Sequence, residues 1–329
     1  MSLSDLRSLF GNHPSIIHAI ASRTTFTQAE KECRFIETNH ITPLLCTDSN
    51  YPSRLNLPDC SDTPPLLYSR GTCNLNSKRV VSIVGSRRMT DYGSQIVERI
   101  ISALPPDVLV VSGLAYGVDT AAHTASLRHS LFTVSVVAHG LDRIYPPQNK
   151  NLALRILDSG GAILTEYPSN TAIHQSYFPA RNRIIAALSD AVIVVEASTK
   201  GGALITAHIA NSYHRDVYAV PGRLTDQYSL GCNNLIATQE AMIFNSTDDF
   251  LFNMGWQPAN RTKIHQTQLP LLTADEQKVV NILSTQELLS IDELSSKTNF
   301  PSPQLAAIIL NLELNGVIKC LPGKMYKLL

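Results

Sequence analysis

Apolar positions divide the chain into regions of different rhythm. Between residues 79 and 222, short β-branched runs recur: RVVSIVG (79–85), VLVVSG (108–113), FTVSVVAHG (132–140), AILTEYP (162–168), AVIVVEA (191–197) and DVYAVPG (216–222). Most are almost continuously apolar, the pattern of strands covered on both faces. Helix-length segments separate them, among them GSQIVERIISAL, GVDTAAHTASLRH, NLALRILDSG and GALITAHIANSYH. This alternation predicts an α/β domain built on a doubly wound, mostly parallel sheet.

The flanks follow other patterns. In residues 1–75, FTQAEKECRFIETNH predicts a helix, and the proline-rich stretch after it is irregular with two short apolar runs. This helical and irregular lead-in is expected to pack on the sheet, with room for an edge strand. Residues 76–254 form the α/β domain. Residues 255–270 lack apolar periodicity and read as a linker. In residues 271–329, TADEQKVVNILST opens with Thr273 and Glu276 at capping-box spacing. SIDELSSKT and SPQLAAIILNLELNGV predict two further helices, and VIKCLPGKMYKLL a hairpin turning at Pro322-Gly323. Three helices and a hairpin wing predict a small winged-helix-like domain.

Four of the six central runs end in glycine, at Gly85, Gly113, Gly140 and Gly222. In open α/β sheets the ligand crevice lies beyond the carboxyl ends of the strands, so these turns are expected to line one rim. Cations collect there. Arg87 follows Gly85-Ser86, and Arg181, Arg183 and Lys200 are expected at other strand ends of the same rim. Arginine suits phosphate because its planar fork donates two parallel hydrogen bonds. Gly201-Gly202 after Lys200 opens a helix whose free N–H groups could receive an anion. Phe178, beside the arginines, adds a ring on which an unpaired base could stack, or else a core side chain.

No GxGxxG or GxxxxGK[ST] follows the first strand, which excludes the standard dinucleotide and nucleoside-triphosphate loops. Asp119 and His123, four apart on a predicted helix, suit either half of a metal site without a third ligand or a structural pair. Glu166 and Glu196 suit either acid–base work or capping and pairing with the rim arginines. Neither a metal site, a cofactor site nor a catalytic residue is assigned.

Composition changes the picture only at the margins. The 329 residues carry a formal net charge of zero, so any attraction for polyanions must come from a local patch. With 44% hydrophobic and 16% charged residues, the chain is globular. No apolar run reaches the roughly 18 residues of a membrane span, and MSLSDLRSLF lacks the charged start and apolar core of a signal peptide. The six cysteines form no CxxC pair and read as reduced thiols, so a cytoplasmic protein is expected.

Taken in order, GSRRMTDYG, SGLAYGVDTAAH, GLDRIYPPQN, TEYP, FPARNRIIAALSDAVIVVEA, KGGALITAHIA, RDVYAVPG and GCNNLI resemble the DNA-processing protein A family, also called DprA or Smf. The resemblance spans roughly residues 45–245, and FPARNRIIAALS is its most specific block. It implies an extended Rossmann-like domain, with the C-terminal unit resembling the winged helix of many members. It implies a non-enzymatic protein that binds single-stranded DNA, forms a homodimer through the Rossmann-like domain, and loads the RecA recombinase onto incoming strands in natural transformation. The implied DNA-binding residues are Ser86, Arg87, Phe178, Arg181, Arg183, Lys200, Gly201 and Gly202. Members often carry Lys-Ser-Gly-Ser where this chain has Lys200-Gly201-Gly202-Ala203, which would leave phosphate contact there to backbone N–H groups.

Two other readings belong to different classes. The first is a nucleotide-processing hydrolase of the LOG phosphoribohydrolase type, with Glu196 the carboxylate best placed, although the PGGxGT spacing of that type is missing. The second is a duplex-DNA regulator acting through the winged helix, but residues 302–316 contain no Lys or Arg to read a groove.

Overall fold

A computed structural model describes residues 4, 7, 8, 11, 13–22, 25–58, 60, 62–256, 272–285, 289–315, 317–321 and 325–328. The chain divides into two compact units, residues 1–256 and 257–329.

The first unit begins with α1 (Pro14–Ser22), α2 (Phe26–Thr38), β1 (Ile41–Leu45) and β2 (Leu66–Gly71). The αβ alternation then runs β3 (Arg79–Val84), α3 (Asp91–Ala103), β4 (Val108–Ser112), α4 (Val118–Arg128), β5 (Thr133–Val136), α5 (Lys150–Asp158) and β6 (Ala162–Thr165). It continues through α6 (Tyr177–Leu188), β7 (Ala191–Val194), α7 (Gly202–Ser212), β8 (Asp216–Ala219), α8 (Leu230–Ala237), β9 (Met242–Ile243) and α9 (Thr247–Asn253). All six apolar runs are strands, each trimmed at its carboxyl end.

One nine-stranded sheet has the order β1-β2-β6-β5-β4-β3-β7-β8-β9. Pairing is parallel from β6 to β9, while β1 and β2 join antiparallel at the β6 edge. The lead-in therefore adds two strands to the sheet. Alternate strand residues face two cores. Val80, Val84, Val192 and Val194 pack under α6 and α7, while Val81, Ile83, Ala191 and Ile193 pack under α3 and α4. That double coverage is why these strands read as continuous apolar runs. The chain travels outward from β3 to β6 and returns to place β7 beside β3. The β3/β7 junction is the switch point at which the chain's direction across the sheet reverses, and crevices form there.

Trp256, assigned by sequence to the linker, instead packs edge-on against Phe250, with ring centroids 5.5 Å apart, and is buried in the first unit. An indole gains more from that cover than from solvent. Residues 257–270 of the expected linker lie outside the described residues.

The second unit contains α10 (Ala274–Thr285), β10 (Leu289–Ser290), α11 (Ile291–Thr298), α12 (Ser302–Leu314), β11 (Ile318–Leu321) and β12 (Met325–Leu328). Its antiparallel sheet has the order β10-β12-β11. Val279, Leu283, Leu294, Leu305 and Leu312 form its core. The expected box before α10 is present: Thr273 N–H donates to Glu276 Oε2 (2.8 Å) and Glu276 N–H to Thr273 Oγ1 (3.3 Å). Ser290 and Glu293 repeat it at α11. The hairpin turn at Pro322-Gly323 falls outside the described residues. Among the described residues, no helix is long and apolar enough to cross a membrane.

Candidate nucleic-acid interface

A cleft of about 660 Å³ opens at the β3/β7 switch point. One wall is the loop after β3, which carries Ser86, Arg87 and Arg88; the other is the segment from Ala197 to Ala203 that leads into α7. Phe178, Arg181 and Asn182 of α6 also line it.

The β3 loop is tied down by its backbone. Ser86 N–H donates to Glu196 O (2.7 Å), and Ser86 O accepts from Val118 N–H (3.2 Å). The Ser86 hydroxyl accepts from Arg88 N–H (3.0 Å), which turns the chain outward. Gly117 supports the same loop. Its φ is +74°, and a Cβ there would lie 2.8 Å from the Arg87 carbonyl carbon, so only glycine fits without displacing the loop. Arg87 and Arg88 are both exposed. The Arg87 guanidinium lies 5.2 Å from the centroid of the half-buried Phe178 ring. Such a cation–π contact contributes about 0.5–1 kcal/mol at an exposed site and holds the guanidinium over the cleft.

Across the cleft, Gly201 is the N-cap of α7, and no side chain caps that helix. The first turn of a helix presents free N–H groups and the positive end of its dipole. With glycine at both Gly201 and Gly202, backbone can approach an anion closely.

Arg181 sits differently from the expectation. It lies inside helix α6 and not at a strand end, and it is 4% exposed. Its Nη1 donates to Gly113 O (2.6 Å) and to Val136 O, the carbonyls at the carboxyl ends of β4 and β5. Asp119 lies on the same side of Gly113. Burial pulls the Arg181 pKa down to about 10, opposed by Asp119, so the guanidinium is still charged at neutral pH. Burial pushes the Asp119 pKa up, and Arg181 draws it back. Arg181 therefore forms the cleft floor, with its charge partly answered by Asp119. The cations with open faces are Arg87 and Arg88. Arg88 was missed by the sequence reading, although its place beside Arg87 in an irregular rim loop was the available signal.

Arg183 does not join Arg181. The expectation placed both at strand ends of one rim and, through the resemblance, in one pocket. Residues two apart on a helix do not face the same way. Arg183 instead pairs with Glu166 and, at 3.5 Å, with Asp62 of the lead-in. Lys200 stands exposed in the turn before α7 and does not line the cleft. Six of the eight expected residues thus meet in one cleft: Ser86, Arg87, Phe178, Arg181, Gly201 and Gly202.

The two carboxylates have structural partners. Glu196 is fully buried and accepts from Thr90 N–H (2.9 Å) and from the Thr90 hydroxyl, at the start of α3. Burial raises the Glu166 pKa and Arg183 opposes the rise. Asp119 and His123 also diverge: His123 Nδ1 lies 2.7 Å from Thr133 Oγ1, away from the cleft, while Asp119 accepts from Ala115 N–H (3.2 Å). Among the described residues, no group of three or more His, Cys, Asp or Glu is arranged to hold a metal ion.

Residues 42–255 match the family model described as DNA recombination-mediator protein A, and residues 265–324 match the DprA winged helix domain. The chain belongs to the DNA recombination-mediator protein A family. A Synechocystis relative, Protein Smf, is 36% identical over 85% of this chain and 78% of its own length. DNA processing protein DprA of Streptococcus pneumoniae is 39% identical over 61% of this chain and 70% of its own. The X-ray structure of the pneumococcal DprA superposes with a TM-score of 0.68 at 35% identity, covering 77% of this chain and 86% of that one. A Helicobacter pylori member, whose structure is described for its single-stranded DNA binding mode, gives a TM-score of 0.57 at 29% identity over 65% of this chain and 95% of its own. The family assignment agrees with the two-unit architecture, an α/β unit followed by a winged helix.

Proposed function

We propose that this chain is a single-stranded-DNA-binding recombination mediator whose strand lies in the β3/β7 cleft. The observation that carries the reading is the Arg87 guanidinium held over the Phe178 ring at the mouth of that cleft. Cations for the backbone and a ring for a base are the parts that grip an unpaired strand. The uncapped N-terminus of α7 supplies a further phosphate position, and Lys200 stands nearby as an exposed cation. The likeness to the Helicobacter protein supports the same reading.

Family membership supports the finer steps. The bound strand is handed to a RecA-type recombinase in the cytoplasm during natural transformation, and the protein itself is not an enzyme. Homodimerisation through the α/β unit fits the open sheet edge at β9, where Met242 and Ile243 are 43% and 46% exposed. The hydrolase reading is disfavoured because Glu196, the carboxylate it needs, is fully buried and holds Thr90.

The test is fluorescence anisotropy with labelled oligo-dT and a matched duplex across a salt series. Single-strand preference is expected, with log affinity falling by about 0.7 per phosphate contact for each decade of salt. Arg87→Ala should weaken binding and reduce the slope by about that increment. Salt-insensitive binding, or equal affinity for duplex, would remove the reading. For the later step, strand-exchange reactions on oligo-dT coated with single-strand-binding protein should start faster with the wild-type chain than with Arg87→Ala.

A further inference from the structure

The cleft continues beyond Phe178 onto two tyrosines that nothing above uses. Tyr145 is 41% exposed and Tyr116 is 43% exposed, large rings left open beside a basic site. The Tyr145 and Phe178 ring centroids are 5.9 Å apart with planes inclined at 51°. Beneath the three rings lies a void of about 30 Å³, lined also by Val137, Ala138 and His139. Its size is that of about one water molecule, and a nucleobase does not fit. Any base at this place must lie on the rings.

The loops that carry the rings are held by their surroundings. Tyr145 N–H donates to His139 Nε2 (3.2 Å), while His139 Nδ1 lies 2.9 Å from Gly140 O. That pair of contacts fits the neutral Nδ1–H imidazole, and burial lowers the His139 pKa in keeping with it. The Tyr116 hydroxyl donates to Gln148 Oε1. Next to Gln148, the buried Asn149 donates to Leu114 O (2.8 Å) and to Thr120 Oγ1 (2.9 Å), binding the two tyrosine-bearing loops together. With the Tyr116 ring held at its hydroxyl and the Tyr145 backbone held at its N–H, part of the ordering cost of a stacking platform is met on folding.

We propose that Tyr145 and Tyr116 form a base-stacking ledge continuing from Phe178, so that consecutive unpaired bases rest on consecutive rings. The inference rests on the single-stranded-DNA reading of the cleft. It also supplies a source of selectivity. A duplex strand advances about 3.4 Å per nucleotide with its bases parallel. Rings 5.9 Å apart and inclined at 51° require a stretched strand with splayed bases, a form that pairing forbids.

The experiment compares oligo-dT with the same backbone carrying abasic sites, using the full-length chain. Wild type should bind oligo-dT at least about fivefold more tightly than the abasic strand. Tyr145→Leu and Tyr116→Leu should each lose most of that difference while binding the abasic strand like wild type, and Tyr145→Phe, which keeps the ring, should restore it. In Tyr145→Trp, oligo-dT should quench the new indole and the abasic strand should not. If both leucine variants bind oligo-dT as wild type does while Arg87→Ala loses binding, the ledge is refuted and the cleft stands. If wild type does not separate the two strands, the ledge is likewise refuted. If wild type binds neither strand, the single-stranded-DNA reading falls and the ledge with it.

Discussion

Arg87 and Arg181 line the same cleft, yet replacing them should fail in opposite ways. Arg181→Ala removes the donor to two buried carbonyls, Gly113 O and Val136 O, and leaves Asp119 without its nearest cation. An orphaned buried acceptor costs about 1–3 kcal/mol, so two give about 2–6 kcal/mol. Water entering from the cleft would rehydrate part of this, which favours the lower end, about 2–3 kcal/mol. For a unit of this size the corresponding fall in Tm is roughly 5–10 °C. Arg87→Ala changes an exposed side chain, and surface substitutions of that kind usually stay within about 0.5 kcal/mol. Urea unfolding followed by tryptophan fluorescence separates the cases. Trp256 is the chain's one tryptophan and packs in the α/β unit, so the signal reports that unit and not the winged helix. Expected are a lower midpoint for Arg181→Ala, and an unchanged midpoint with weakened, less salt-dependent DNA binding for Arg87→Ala. An Arg181→Ala protein with a wild-type midpoint and a reduced salt slope would refute the assignment of Arg181 to the floor.

Two further predictions concern the supports of the site. His123 is fully buried; Thr133 Oγ1 already donates to Val110 O, so the imidazole holds its proton on Nδ1 and leaves Nε2 without a partner. Burial lowers its pKa from 6.5 to about 3, so between those values the unfolded chain binds a proton that the folded chain refuses, and stability falls as pH falls. From pH 7 to pH 5 this amounts to about 2 kcal/mol, and the loss should be smaller by about that amount in His123→Met when urea midpoints are compared. Equal pH dependence in the two proteins would show that His123 titrates normally. At Gly117, whose φ of +74° and ψ of −125° lie outside the left-handed helical region, alanine should cost at least about 1–3 kcal/mol and should also weaken oligo-dT binding, because its Cβ would run into Ser86 O and displace the Arg87 backbone. Unchanged anisotropy at full occupancy of the folded state would disconnect Gly117 from the site.

The sheet was legible because burial on both faces leaves short, almost continuously apolar runs, too short for helices, four of them closed by glycine. The rim was legible for the same reason, since the glycines stand where strands stop. The RNR segment was not. FPARNRII carries a proline and two arginines and shows little apolar periodicity, yet it is helical because Ile184, Ile185 and Leu188 bury the far end of α6 and Arg181 satisfies carbonyls that only the folded sheet brings together. Tertiary contacts, not local preference, make that helix. The tyrosine ledge also lay out of reach, because Tyr116 and Tyr145 are 29 positions apart and their loops are brought together by the contacts of Gln148 and Asn149 in the folded chain.

Helix α6 explains why two arginines of one motif serve different ends. Its first turn offers Phe178 to Arg87, its next residues send Arg181 into the sheet ends, and Arg183 leaves on another side to Glu166 and Asp62. Asp62 also accepts from the hydroxyl of Tyr213, just beyond α7, so Arg183 links the lead-in, the end of β6 and the region following α7. The placement of Phe178 therefore depends on polar contacts well outside the cleft. A chain with no net charge can hold an anion site in this way: Arg181 is taken up by Asp119 and two sheet-end carbonyls and Arg183 by Glu166 and Asp62, while Arg87 and Arg88 stay open in a cleft where strand ends, a helix N-terminus and exposed rings converge.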